Sequence, residues 1–169
     1  MTLESPARQV AGFIAKFDSR VAKVIRASRA ALRKRFPAAN ELVYDNYNFF
    51  VIGYSTTERP SDCMVSLAAN AKGVGLSFYY GATLPDPGNI LLGSGNQNRF
   101  IRLESAATLA RPEVEALSRA ARAHAKTQLP TTGRRRTIIE SISAKPRPRR
   151  LSAGERNGQV SREARRLTC

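Results

Sequence analysis

GVGLSFYYGATLPDPGNILLGSGNQNRFIRL, residues 73–103, is the stretch on which the fold turns. Its opening alternates, with Val74, Leu76, Phe78 and Tyr80 interleaved with Gly75, Ser77 and Tyr79. A period of two with small residues on the second face predicts a half-buried antiparallel strand. The turn-rich middle then gives way to RFIRL (99–103), which returns as another strand. Segments this long without regular structure are usually functional or disordered. Here Leu84, Ile90, Leu91 and Leu92 supply apolar anchors, so the reading is an ordered excursion.

Upstream lie three more runs rich in β-branched and aromatic residues: ELVYDN (41–46), NFFVIGY (48–54) and CMVSLAAN (63–70). An Asn70-Ala71-Lys72-Gly73 turn joins the last of these to 73–80, and five strands result. Before them, Ser5-Pro6 combines a capping hydroxyl with a proline at the first helical position. Val10, Phe13, Ile14 and Phe17 then recur at helical spacing. Asp18-Ser19 caps a second helix to about Arg35, unless one unbroken helix covers 6–35; Pro37 ends it either way. Val21, Val24, Ile25, Ser28, Leu32 and Phe36 form its inner stripe, while Arg20, Lys23, Arg26, Arg29, Arg33 and Lys34 fall opposite. Downstream, Pro112 starts a helix with Glu113 and Glu115 at its positive end and Val114, Leu117 and Ala121 on its apolar face.

These elements predict an α+β domain over residues 1–130. Two N-terminal helices and one C-terminal helix cover one face of a five-stranded, mainly antiparallel sheet. Residues 131–169 read as a basic, largely disordered tail carrying one apolar island at 137–143, with Ile138, Ile139 and Ile142. On that reading, a cut after Leu129 leaves the core whole.

Charge divides along the chain. Residues 1–37 carry a net +7, residues 38–118 a net −3 and residues 119–169 a net +11. The positive charge therefore sits on helices and tail, away from the sheet. This motivates non-specific nucleic-acid association through Arg26, Arg29 and Arg33 on the helix face, with Arg134, Arg135, Arg136, Arg149 and Arg150 in the tail. No aromatic residue follows Phe100 to stack on bases.

Two cysteines, Cys63 and Cys169, make neither a disulfide framework nor a metal-ligand spacing. The N-terminus lacks the layout of a secretory signal, and no apolar run is long enough for a membrane span. A soluble cytoplasmic protein, monomer or homodimer, is expected. No catalytic constellation can be assembled: His124 is the only histidine, and Asp62, Asp86 and Glu58 fall on separate loops. No cofactor is expected.

VYDNYNFFVIGY, the strand pair ending in FYY, and GATLPDPGNILLGSGNQNRFIRL together resemble the YdhG-like family of small bacterial proteins of unknown function. The resemblance extends over residues 8–150, including the late island ending in SAKPRPRR, and is most specific at 81–103. It implies a frataxin-like fold and, for some members, an intracellular iron-chaperone role. Relatives commonly carry a lysine where this chain has Asn96, and often a histidine where it has Phe100. Any anion contact by that lysine would pass to Arg99 or Arg102. The acidic residues available for iron, Glu4, Asp18, Glu41 and Asp45, lie among nine basic ones.

Two clusters are candidate binding elements. Tyr44, Asp45 and Asn46 read either as an Asx turn beside half-buried tyrosines or as a pocket wall. Gly93-Ser94-Gly95 ahead of Arg99 reads either as a tight turn or as an anion nest. With Tyr79, the residues Tyr44, Asp45, Asn46, Gly93, Gly95 and Arg99 make one expected ligand face for an unidentified small molecule or protein partner, in a non-enzymatic binding protein.

Overall fold

Helix α1 (Pro6–Ala15) begins where the Ser5 hydroxyl accepts the Arg8 amide at 3.3 Å. Helix α2 (Ser19–Arg35) begins where the Asp18 carboxylate accepts the Val21 amide at 2.9 Å. The aspartate cap breaks the chain into two helices and settles the alternative of one long one. The computed structural model describes residues 2–167, so Cys169 lies outside the described residues.

Strands β1 (Asn40–Asp45), β2 (Phe50–Ser55), β3 (Cys63–Asn70), β4 (Gly73–Phe78) and β5 (Arg99–Leu103) form an antiparallel meander. Helix α3 (Pro112–Ala123) follows, then β6 (Thr137–Ile142) and α4 (Ala153–Leu167). The sheet order is β5-β4-β3-β2-β1-β6, and β6 runs parallel to β1. The α+β class is as expected, but the sheet is six-stranded and mixed, with four α-helices among the described residues. The island at 137–143 is the sixth strand, and the stretch expected to be disordered also holds α4.

Alternation along the strands divides the two sheet faces. Val43, Ile52, Leu67, Leu76 and Ile101 stand on one row and share a core with Phe13, Phe17, Ile25 and Leu32 of α1–α2 and Leu117 of α3. Phe50 meets Phe13 and Phe17 at ring-centroid distances of 5.9 and 6.1 Å. The 81–103 excursion is ordered, for identifiable reasons. The Asp86 carboxylate accepts the amides of Ile90 and Leu91 at 3.0 and 2.9 Å. Leu92 and Phe100 exchange both backbone hydrogen bonds, at 2.8 and 3.0 Å. Gly81 lets the chain pass close to β5, because a Cβ there would lie 2.9 Å from the Arg99 backbone nitrogen.

Two carboxylates stand on the helix-covered face of β1, either side of Val43. Glu41 is fully buried and receives Arg29 through Nε and Nη2, both at 2.9 Å. Tyr54 donates to it at 3.1 Å, Thr137 at 3.0 Å, and Arg33 Nε lies 3.6 Å away. Asp45 receives Lys16 at 2.9 Å and Arg149 at 2.8 Å. Arg149 is only 4% exposed and also donates to the Asn46 carbonyl at 2.6 Å. These bonds tie β6 and the segment after it to the domain.

Burial pushes the Glu41 carboxyl up, but the Arg29 fork, the Arg33 charge and the Thr137 hydroxyl outweigh it and hold it below the usual carboxylate range. A lowered folded value adds stability that is fully present above the ordinary glutamate pKa and is lost as pH falls through the lowered one. Glu41→Gln is therefore expected to lower stability by about 2–3 kcal/mol at pH 7, leaving Arg29 without its charge partner. That difference should hold down to about pH 5 and shrink below it. Urea titrations of both proteins from pH 7 to pH 3 check this, and a gap that stays constant through pH 3 contradicts it.

Candidate functional site

Because α1, α2 and α3 take one face, the other face of the sheet is left to the alternate residues. One row crosses it as Ile138, Leu42, Gly53, Ser66, Ser77 and Phe100, and the next as Tyr44, Val51, Ala68, Gly75 and Arg102. The middle of both rows is small. Gly53 is required there, since a Cβ would lie 2.7 Å from Cys63 Sγ. Aromatic and aliphatic groups stand around the rim: Tyr79 is 37% exposed, Leu92 42% and Phe49 43%.

Tyr44 is half-buried, and its hydroxyl is shut from solvent without a hydrogen-bond partner. Burial, then the charges of Glu140, Cys63 and Tyr79, push its pKa up to about 12. All three groups are therefore within electrostatic reach of the phenol. Cys63 is buried, and desolvation pushes its thiol up to about 11 against a Ser55 hydrogen bond that favours the thiolate. A thiol in that condition is not a nucleophile at neutral pH. His124 caps α3 in solvent, with Nδ1 at 2.7 Å from the Ala120 carbonyl.

The expected ligand residues do not converge. Tyr44 and Tyr79 belong to the open face. Asp45 is on the covered face, consumed by Lys16 and Arg149. Asn46 anchors the C-terminal segment, accepting from Ser141 at 2.6 Å and from Arg149. Gly93 adopts φ 109 in a turn that Arg99 closes by donating to the Gly95 carbonyl and, at 2.8 Å, to that of Asn98. Carbonyls, not amides, face that guanidinium, so the turn is not built as an anion nest. Three strands separate β1 from β5, which puts Tyr44 about 19 Å from β5 at ordinary strand spacing, and Gly93 lies beyond β5, next to the Leu92 that pairs with Phe100.

The arginines expected to hold nucleic acid are mostly engaged within the chain. Arg29 and Arg33 serve Glu41, Arg149 serves Asp45, and Arg136 pairs with Glu58. Arg135 donates to the Arg33 carbonyl at 2.5 Å, and Arg150 to that of Lys16 at 3.1 Å. Arg26 and Arg134 are exposed, without an ion-pair partner among the described residues. Sequence reasoning missed a cleft between α2 and α3 lined by Arg35, Glu115, Arg119 and Arg122. The i, i+3 spacing of Arg119 and Arg122 was the available signal.

Among the described residues, no group of three or more His, Cys, Asp or Glu side chains could hold a metal ion. No described helix is long and apolar enough to cross a membrane. No protein-family model, curated protein or solved structure matches the chain.

The burial of Cys63 has a direct readout. Iodoacetamide at pH 8 is expected to leave Cys63 unmodified in the folded protein and to alkylate it in 6 M guanidinium, as read by peptide mass spectrometry. Alkylation of Cys63 in the folded protein within minutes contradicts the assigned environment.

Proposed function

We propose that this chain is a YdhG-like cytoplasmic protein without enzymatic activity, which binds a partner through the uncovered face of its sheet. The observation that carries the proposal is the broad strip of small residues on that face, rimmed by the exposed Tyr79, Leu92 and Phe49. The strip of Ser66, Ala68, Gly75 and Ser77 lets a partner approach the backbone closely, and the aromatic rim supplies contact area. Breadth favours a protein partner over an enclosed metabolite. The cleft bounded by Cys63, Met64, Tyr80 and Leu84 has a volume of ≈ 20 Å³, room for about one water.

The catalytic alternatives find no support in these side chains, since the one described thiol is buried and the one imidazole is solvated. The iron-chaperone reading fares no better. Glu41 and Asp45 are neutralised by cations, and Asp18 is occupied in capping α2. The cytoplasmic assignment rests on Cys63 being a free thiol in a chain with only two cysteines.

A photo-crosslinking amino acid placed at Ser66 or Ser77, and at Ala11 on the exposed side of α1 as control, tests the surface in cells making the protein. A cross-linked species of one defined mass from Ser66 and Ser77, lost on adding Ala68→Arg and not seen from Ala11, is the expected result. Equal products from Ala11, or none from the sheet positions, would overturn the assignment.

A further inference from the structure

The opposite side of the molecule has a different chemistry. Helix α2, SRVAKVIRASRAALRKR, contains no carboxylate over residues 19–35. Its two flanks are tied down, Arg29 and Arg33 by Glu41, and Arg35 by Glu115 at 2.9 Å. Between the flanks, Arg20, Lys23, Arg26 and Lys34 are exposed and have no ion-pair partner among the described residues. The positions between them are Ala27 and Ala30, both exposed, so the ridge is low as well as cationic. Arg119 and Arg122 continue the positive surface on α3, across the cleft from Arg35.

We infer that the outer face of α2, continued by Arg119 and Arg122, is a binding surface for double-stranded DNA held through its phosphates. Seventeen residues make a helix about 25 Å long, which passes about seven base pairs of duplex. With its side chains an α-helix is about 10–12 Å across, the width of the B-form major groove. The A-form major groove of duplex RNA is too narrow for it. No aromatic side chain is exposed on this face for base stacking, and α2 offers no Asn or Gln to read adenine. Contacts of the ridge cations with phosphates supply the affinity, so binding is driven by charge and depends little on sequence. This surface is independent of the sheet face proposed above, and it replaces the tail as the main nucleic-acid contact, because Arg135, Arg136, Arg149 and Arg150 are bonded within the chain.

Fluorescence anisotropy of the full chain with a labelled 20-base-pair DNA duplex, from 50 to 200 mM salt, is the test. Binding at 50 mM salt is expected to weaken steeply with salt and to change little with base composition. Lys23→Gln, Arg26→Gln and Lys34→Gln together should cut affinity at 50 mM by more than about tenfold and lower the log–log salt slope by about three. Each single change should lower the slope by about one. Arg134→Gln, Arg156→Gln and Arg162→Gln together should have a smaller effect than the α2 set. Circular dichroism melts matching the unaltered chain show that the side chains removed were not structural. Absence of binding at 50 mM, an α2 triple variant that binds like the unaltered chain, or tighter binding to the matching RNA duplex overturns the inference.

Discussion

Two carboxylates on the buried side of one strand impose the constraint around which this fold is arranged. Glu41 and Asp45 flank Val43 on β1, facing the helices, where an unpaired charge costs several kcal/mol. Each must be met by a cation reaching in from another element, and each partner fixes where that element lies. Arg29 forks onto Glu41 and sets the rotation of α2 over the sheet. Lys16 reaches Asp45 from the link between α1 and α2. Thr137 and Arg149 bring in the C-terminal segment from the other side. Such pairs are weak evidence of net stability, because desolvation offsets most of the Coulomb gain. Their effect is specificity: the register of β6 against β1 brings Thr137 to Glu41, and the segment after β6 brings Arg149 to Asp45.

The same arrangement separates the chain's charge into two kinds. Arg29, Arg33 and Arg35 of α2 and Arg149 of the C-terminal segment are drawn onto carboxylates. Cations on the outer ridge of α2 and on α3 have no counterpart and remain available. The sheet's other face stays small and nearly neutral at its centre, with Tyr44 and Tyr79 around it. The +15 formal charge of the chain is thus only partly neutralised within the fold.

Much of this was legible in the sequence wherever a signal is local. Ser5-Pro6 and Asp18 mark helix starts through single side-chain-to-backbone bonds. The alternation of Val74, Leu76 and Phe78 gives the inner face of β4, and Asp86 with Ile90 and Leu91 explains the ordered excursion. What was not legible depends on distant partners. TIIESI is six residues in an arginine-rich stretch, and its parallel pairing with β1 is set by contacts about a hundred residues away in sequence, Arg149 to Asp45 among them. Likewise, helical spacing places Arg29 and Arg33 beside Arg26 but does not say that they bend to Glu41 while Arg26 remains in water. Strand order, equally invisible locally, moves Tyr44 away from Gly93 and puts Asp45 on the covered face.

Thermal denaturation of the chain cut after Leu129, compared with the full chain at pH 7, tests the central claim most directly. The cut removes β6, the Thr137 bond to Glu41 and the Arg149 bond to Asp45, and leaves Asp45 with Lys16 alone. Loss of a buried partner at this scale is worth at least about 3 kcal/mol, and the melting temperature should fall by about 6–12 °C or more. A truncated chain that melts within about a degree of the full one would mean that residues 130–167 are an appendage, and would contradict the account.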